Sequence, residues 1–178
     1  MRVIAPDSLD VLLDAAEIAR RVDAVADQIA PTLADDAIVV CLLTGGMWFA
    51  ADLTRALAAR GKHPAFDALW LASYGDEKAT SGKVEVRGPL QRPVTGRPVL
   101  LVDEVIESGH SLTEATRLCR EAGATEVRIC VFADKPHPEP RQVTPDFCAW
   151  DAPARFLVGY GMDYAGTLRG LPFVGAAD

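Results

Sequence analysis

The chain has no basic run, no long apolar run and no paired-cysteine motif, and each absence removes a class of function. Its 18 lysines and arginines stand against 25 aspartates and glutamates, a formal net charge of −7. Nucleic acid is held mainly through its phosphates, so a chain without a positive footprint is not expected to take nucleic acid as its main partner. No apolar run reaches the roughly 20 residues of a membrane-spanning helix, and the opening Met1-Arg-Val-Ile-Ala-Pro6 lacks a signal-peptide pattern. The four cysteines, at 41, 119, 130 and 148, show neither CxxC nor zinc spacing, and three lie in apolar stretches. They fit small core residues in a reducing compartment, so a cytoplasmic protein with no membrane partner is expected. P-loop (GxxxxGKS/T) and dinucleotide (GxGxxG) patterns are absent too.

What is present is ordinary in bulk: 178 residues, 49% hydrophobic and 24% charged, enough for one domain with a real core. Residues 8 to 30 read as an amphipathic helix ended by Pro31, and Ala37 to Leu43 as a strand covered on both faces. Trp48 to Ala59 reads as a helix stopping at Gly61, Pro64 to Ser73 as a strand, and residues 75 to 82 as a mobile polar loop. Further strands are expected at Lys83 to Val86, Val99 to Val102 and Val127 to Ala133, with a helix over 111 to 122. Beyond His137-Pro-Glu-Pro140 the alternation breaks into short strands and loops. The pattern predicts an α/β fold with a mainly parallel central sheet flanked by helices and a small C-terminal hood. A single domain over 1–178 is expected, its core about 30–135 and its hood about 136–178 with the N-terminal segment.

The most informative stretch is Pro98 to Leu112. An apolar run, Pro98 to Val102, ends in Asp103-Glu104; Glu107 follows, then the small turn Ser108-Gly109-His110-Ser111. A buried strand that delivers carboxylates to its tip and then opens into a helix is how open α/β sheets build phosphate-ligand sites. Ser111-Leu-Thr-Glu114 fits a capping box at the helix start. Backbone N–H groups of Ser108, Gly109, His110, Ser111 and Leu112, with the two serine hydroxyls, can wrap a monophosphate there. Acids beside such a nest repel phosphate unless they face ribose hydroxyls or a magnesium ion, which points to a phosphorylated sugar.

This segment resembles the phosphoribosyl-pyrophosphate motif of type I phosphoribosyltransferases. Four other segments, in order, resemble the hypoxanthine-guanine members: Leu43-Thr44-Gly45-Gly46 with the following helix, Ser73-Tyr74, Asp134-Lys135-Pro136 and Phe156 to Tyr164. Arg169-Gly-Leu-Pro-Phe-Val-Gly175 closes the chain as family members close. The resemblance implies the type I phosphoribosyltransferase fold and transfer of phosphoribosyl from phosphoribosyl pyrophosphate to N9 of a 6-oxopurine, hypoxanthine or guanine. A xanthine-preferring enzyme, or a weakly catalytic or non-catalytic regulator that binds phosphoribosyl pyrophosphate, is the alternative.

Residue by residue, the resemblance gives Asp103 and Glu104 the ribose hydroxyls, directly or through magnesium, and Glu107 the general base, where the family carries aspartate. It assigns the 5′-phosphate to residues 108–112 and pyrophosphate to Thr44, Gly45, Gly46 and Arg169. Lys135 would donate to the purine oxo group, Phe156 would stack on the ring, Leu157 would present backbone groups to its edge, and Asp163 would ligate a second magnesium. Ser73 and Tyr74 would begin an active-site lid. A non-proline cis peptide between Leu43 and Thr44 is implied, as is a homo-oligomer, dimer or tetramer.

Overall fold

The computed structural model describes residues 5–73 and 84–177. Six strands form the main sheet: β2 (Ile38–Leu43), β3 (Ala65–Ser73), β4 (Val84–Gly88), β5 (Pro98–Ile106), β6 (Glu126–Asp134) and β7 (Phe147–Asp151). Their order is β4-β3-β2-β5-β6-β7, parallel throughout except for β4 at one edge. Successive residues of a strand point to opposite faces, and the cores divide accordingly. Val39, Cys41, Leu100, Val102 and Phe132 join one apolar cluster, while Ile38, Val40, Leu101, Ile129 and Val131 join the other. Helices α1 (Ala15–Ile29) and α2 (Met47–Ala59) cover the first face, and α3 (His110–Glu121) the second.

Strand β2 is followed by its neighbour β3 on one side and by β5 on the other, so the sheet reverses its winding between β2 and β5. In open α/β sheets the crevice beyond the strand ends at such a reversal is where ligands bind. Thr44 to Gly46 and Asp103-Glu104 both stand there.

A second sheet of three short antiparallel strands, in the order β1-β9-β8, unites the two ends of the chain. It comprises β1 (Asp10–Leu13), β8 (Phe156–Val158) and β9 (Val174–Ala177). The helix expected over residues 8 to 30 is therefore shorter: its first part is β1, and α1 begins only after Asp14, whose carboxylate accepts the Glu17 N–H at 2.8 Å. Strand β7 follows residue 135 yet adds to the edge of the main sheet, through β6. Cys41, Cys119 and Cys130 are buried free thiols. Among the described residues no helix is long and apolar enough to cross a membrane.

Phe132 fastens these layers together. Its ring meets Phe49 of α2 at 5.6 Å, Trp150 of β7 at 6.4 Å and Tyr160, after β8, at 4.8 Å between centroids. Truncating a fully buried aromatic removes its transfer energy and leaves a cavity. Phe132→Ala is expected to cost about 3–5 kcal/mol in urea unfolding; a loss below about 1 kcal/mol would show that the layers close without it.

Candidate active site

Strand β5 does not stop at its acids. It continues to Ile106, with Asp103 paired to Val131 and Val105 to Ala133 in register with β6. The carboxylates therefore project from a hydrogen-bonded strand rather than from a loop, and their backbone is fixed. Both line a polar cavity of about 260 Å³ with Thr44, Gly45, Ser111 and Arg169. Residues from three of the expected contact groups (ribose, phosphate loop, and pyrophosphate with its closing arginine) thus share one wall. Trp70 of β3 and Arg87 of β4 complete it.

The approach of the elements is close enough to dictate glycine. A Cβ on Gly45 would fall 1.8 Å from Glu104 Oε1, and one on Gly161 would fall 2.2 Å from the Gly45 carbonyl oxygen. Gly161 also adopts φ 101°, a conformation that side chains disfavour. The peptide between Leu43 and Thr44 is cis, as the resemblance implies.

Asp103 accepts the Glu104 N–H at 3.0 Å. Burial first, and then the neighbouring Glu104 charge, push the Asp103 carboxyl well above the usual carboxylate range; the Glu104 amide and Arg169 oppose this. Arg169 is heavily engaged: Nη2 lies 2.7 Å from Asp163 Oδ1, Nη1 lies 3.8 Å from Glu104 Oε1, and Nη1 donates to the Gly161 carbonyl. Asp163 also accepts the Gly166 N–H at 2.6 Å, so it pins its own turn as well as facing the arginine.

The phosphate loop differs from its expected form in one respect. Helix α3 starts at His110 with Gly109 as its cap, in the left-handed region at φ 78°, and no side chain closes a capping bond. Ser111 lies inside the first turn, and Glu114 turns to Arg117, which donates to it at 2.8 and 2.6 Å. The capping box read from Ser111 and Glu114 does not form. The first helical bond runs from Thr113 N–H to the Gly109 carbonyl at 2.8 Å, so the amides of residues 110–112 have no helical carbonyl to bind. Of these, the His110 N–H donates to the Ser108 hydroxyl at 3.5 Å. The His110 ring is exposed.

Glu107 and Lys135, 28 residues apart, meet at 2.9 Å between Oε2 and Nζ. The lysine side chain is 13% exposed and the glutamate 56%. Lys135 N–H also donates to the Ile106 carbonyl at 3.0 Å, which carries the β5–β6 pairing one step past the strands. Phe156 is exposed, edge-on to Tyr164 with centroids 5.9 Å apart, while Leu157 is buried and paired with Ala176. Ser73 ends β3; Tyr74 and the loop after it lie outside the described residues.

Residues 8–165 match the model of the phosphoribosyl transferase domain. The chain belongs to the phosphoribosyltransferase family. It is 31% identical to the hypoxanthine-guanine phosphoribosyltransferase of Mycobacterium tuberculosis over 97% of this chain and 87% of that protein. It is also 31% identical to the hypoxanthine phosphoribosyltransferase of Escherichia coli, over 94% of each. A crystal structure of a Staphylococcus aureus hypoxanthine phosphoribosyltransferase shares the fold with a TM-score of 0.88 at 24% identity, covering 100% of this chain and 96% of that one.

In this phosphoribosyltransferase a larger cavity, about 590 Å³, opens between α1, α2 and residues 170–172, but neither the phosphate loop nor Glu107 and Lys135 lie in its wall. The sequence reading missed a residue that matters more. Arg141 donates through Nε to the Glu107 carbonyl at 2.7 Å, through Nη1 to Asp134 Oδ1 at 2.6 Å, and through Nη2 to the Lys135 carbonyl. One guanidinium thus ties the acid's loop to the lysine's strand end. Tyr160 makes a comparable tie, donating its hydroxyl to Asp52 Oδ2 at 2.9 Å and so joining the hood to α2. Only the five-donor fork of Arg141, set in a loop otherwise rich in proline, could have signalled its part.

Two outcomes are expected. Because Asp103 keeps its proton to higher pH in the fold than in the unfolded chain, its contribution to stability falls as pH rises above about 4, the ordinary carboxyl value. Asp103→Asn should therefore raise Tm at neutral pH by about 2 °C or more, with the gain vanishing in acid, where both states are protonated. A Tm unchanged or lowered at neutral pH would refute the strain. Arg141→Ala should slow phosphoribosyl transfer by about 10²-fold, as misplacement near 1 Å does, with the KM for the phosphoribosyl donor little changed. An equal rise in that KM would instead mean general loosening of the site.

Proposed function

We propose that this chain transfers the 5-phosphoribosyl group from phosphoribosyl pyrophosphate to N9 of hypoxanthine or guanine, giving IMP or GMP and pyrophosphate, in purine salvage. The contact between Glu107 and Lys135 carries this reading. A phosphate loop beside ribose-facing acids would serve any phosphoribosyl enzyme, but an acceptor next to a donor suits one base class. A 6-oxopurine presents an oxo acceptor and an imidazole N–H side by side. Lys135 donates to the first and Glu107 takes the proton from the second. Adenine would set its amino group against the lysine and leave a donor unpaired, which discriminates strongly.

The fold's close approaches support the other roles. Asp103 and Glu104 hold the ribose hydroxyls, and the amides at the start of α3, none of which has a helical carbonyl, take the 5′-phosphate. Thr44, Gly45, Gly46 and Arg169 receive the pyrophosphate, and Phe156 with Leu157 forms the purine wall. Ser73 and Tyr74 belong to the lid in this reading. The departing pyrophosphate leaves an oxocarbenium-like centre at the anomeric carbon, so Glu107 must hold the attacking ring in line while water is kept out.

Magnesium fits the donor set. Two adjacent carboxylates, one of them driven by burial and like charge to keep its proton, would be relieved by a cation, and magnesium takes one or two carboxylates together with substrate oxygens and waters. Asp103 and Glu104 would hold it, with Asp163 at a second ion, and it would neutralise charge on the diphosphate. A dimer or tetramer in the cytoplasm completes the proposal; the apolar groove between α1 and α2 gives a second copy a surface to cover, and buried free thiols suit a reducing compartment.

Following nucleotide formation by absorbance, with magnesium, phosphoribosyl pyrophosphate and each purine in turn, tests this. Turnover is expected on hypoxanthine or guanine and none on adenine, and Glu107→Gln should lose about 10²- to 10⁴-fold in kcat. Preference for xanthine would change the acceptor. No product from the native chain, but product from Glu107→Asp, would mean a binder of phosphoribosyl pyrophosphate whose chemistry was lost at one residue.

A further inference from the structure

We infer that Arg87 is a second cation for the substrate's diphosphate, reaching the cavity from β4. This rests on the transfer reading above and names a binding residue beyond it.

The cavity wall brings two carboxylates, Asp103 and Glu104, and two guanidiniums, Arg87 and Arg169. A diphosphate carries several negative charges, and Arg169 is already divided among Asp163, Glu104 and the Gly161 carbonyl. Arg87 is far less committed. Its Nε lies 3.4 Å from Glu85 Oε2, with both side chains about half exposed, at 51% and 47%. Loose, solvated ion pairs of this kind are worth little and are readily exchanged for a better acceptor.

The backbone aims this arginine at the cavity. In the β3–β4 ladder Trp70 faces Gly88 and Leu71 faces Val86, so Arg87 is the extra residue of a β-bulge. A bulge redirects one side chain out of the regular alternation, and bulges gather beside functional sites. The indole of Trp70, 42% exposed, supports the guanidinium, whose central carbon lies 6.0 Å from the ring centroid. The ring holds the face of the cation and leaves its N–H edge free for an anion. Gly88 belongs to the same arrangement, since a Cβ there would come within 3.3 Å of Trp70 Cβ and crowd the ring that supports Arg87. Trp70, Arg87 and Gly88 together make a prepared support for a cation in the wall of the cavity.

The test uses the full-length protein with magnesium and compares native, Arg87→Ala and Arg87→Lys chains. Titration calorimetry measures the binding of magnesium pyrophosphate and of the nucleoside monophosphate, and steady-state kinetics gives KM for each substrate. Arg87→Ala should weaken pyrophosphate binding and raise the KM for phosphoribosyl pyrophosphate about tenfold or more, the effect of one charge-assisted hydrogen bond. Binding of the monophosphate and the purine KM should hold within about twofold, because neither involves the diphosphate. Lysine should recover part of the loss, keeping the charge but not the planar fork. If the native chain turns over and Arg87→Ala binds pyrophosphate as well as it does, this inference fails while the transfer reading stands. An equal loss of monophosphate affinity would also overturn it, by marking a general disturbance of the edge strand. A native chain that forms no nucleotide would defeat the transfer reading itself, and this inference with it.

Discussion

Two carboxylates, consecutive on one central strand and forced into the same crevice, set the terms for the rest of this molecule. Glu104 occupies the space where any side chain at position 45 would have to stand, and the Gly45 carbonyl occupies the corresponding space at position 161. The loop after β2 and the hood therefore meet the Glu104 side chain, and each other, through glycine backbone. Arg169 offsets part of the acid charge at that contact. Repulsion between Asp103 and Glu104 is the cost of the arrangement, and it is a cost that a bound cation would remove.

The second half of the site obeys a different logic. Lys135 follows β6, Glu107 follows β5, and the two strands are neighbours in register. Placing the Glu107 carboxylate beside the Lys135 ammonium thus needs no long-range folding beyond one parallel strand pair. What the sheet cannot do is hold the loops after the strands, where the hydrogen-bond ladder ends. Arg141 does this by bonding to the carbonyls of both residues and to Asp134. A lysine there could not satisfy three acceptors in one plane.

Much of this was legible in the sequence because local pattern and function coincide. The apolar run Ala37 to Leu43, the glycines after it and the acids after Val102 mark the sheet, and Thr44, Gly45, Asp103, Glu104, Ser111 and Arg169 line one cavity at its edge. The misses share a cause as well. Strand β1 has no partner nearby in sequence; it exists because β9, at the other end of the chain, pairs with it, so Val11 to Leu13 read as helix. Helix α3 starts before Ser111 because Gly109, in the left-handed region, turns the chain into it, a backbone property that the spacing of Ser111 and Glu114 does not display. Arg87 lies one residue past the strand expected at Lys83 to Val86, and its bulge is a property of register between two strands that neither displays alone.

Glutamate at position 107 can be judged in the same terms. An extra methylene would matter most if it displaced the loop that also presents amides to phosphate. The loop's backbone, however, is fixed at both ends of this residue: the Ile106 carbonyl accepts from Lys135 N–H, and the Glu107 carbonyl accepts from Arg141. The additional length is taken up beyond the backbone, in a side chain that extends to Lys135 Nζ. Half exposed and paired at its tip with Lys135, the carboxylate is held by its side chain and not by its backbone. The backbone bonds on either side of the Glu107 side chain thus hold the start of the 108–112 turn whatever the length of the acid.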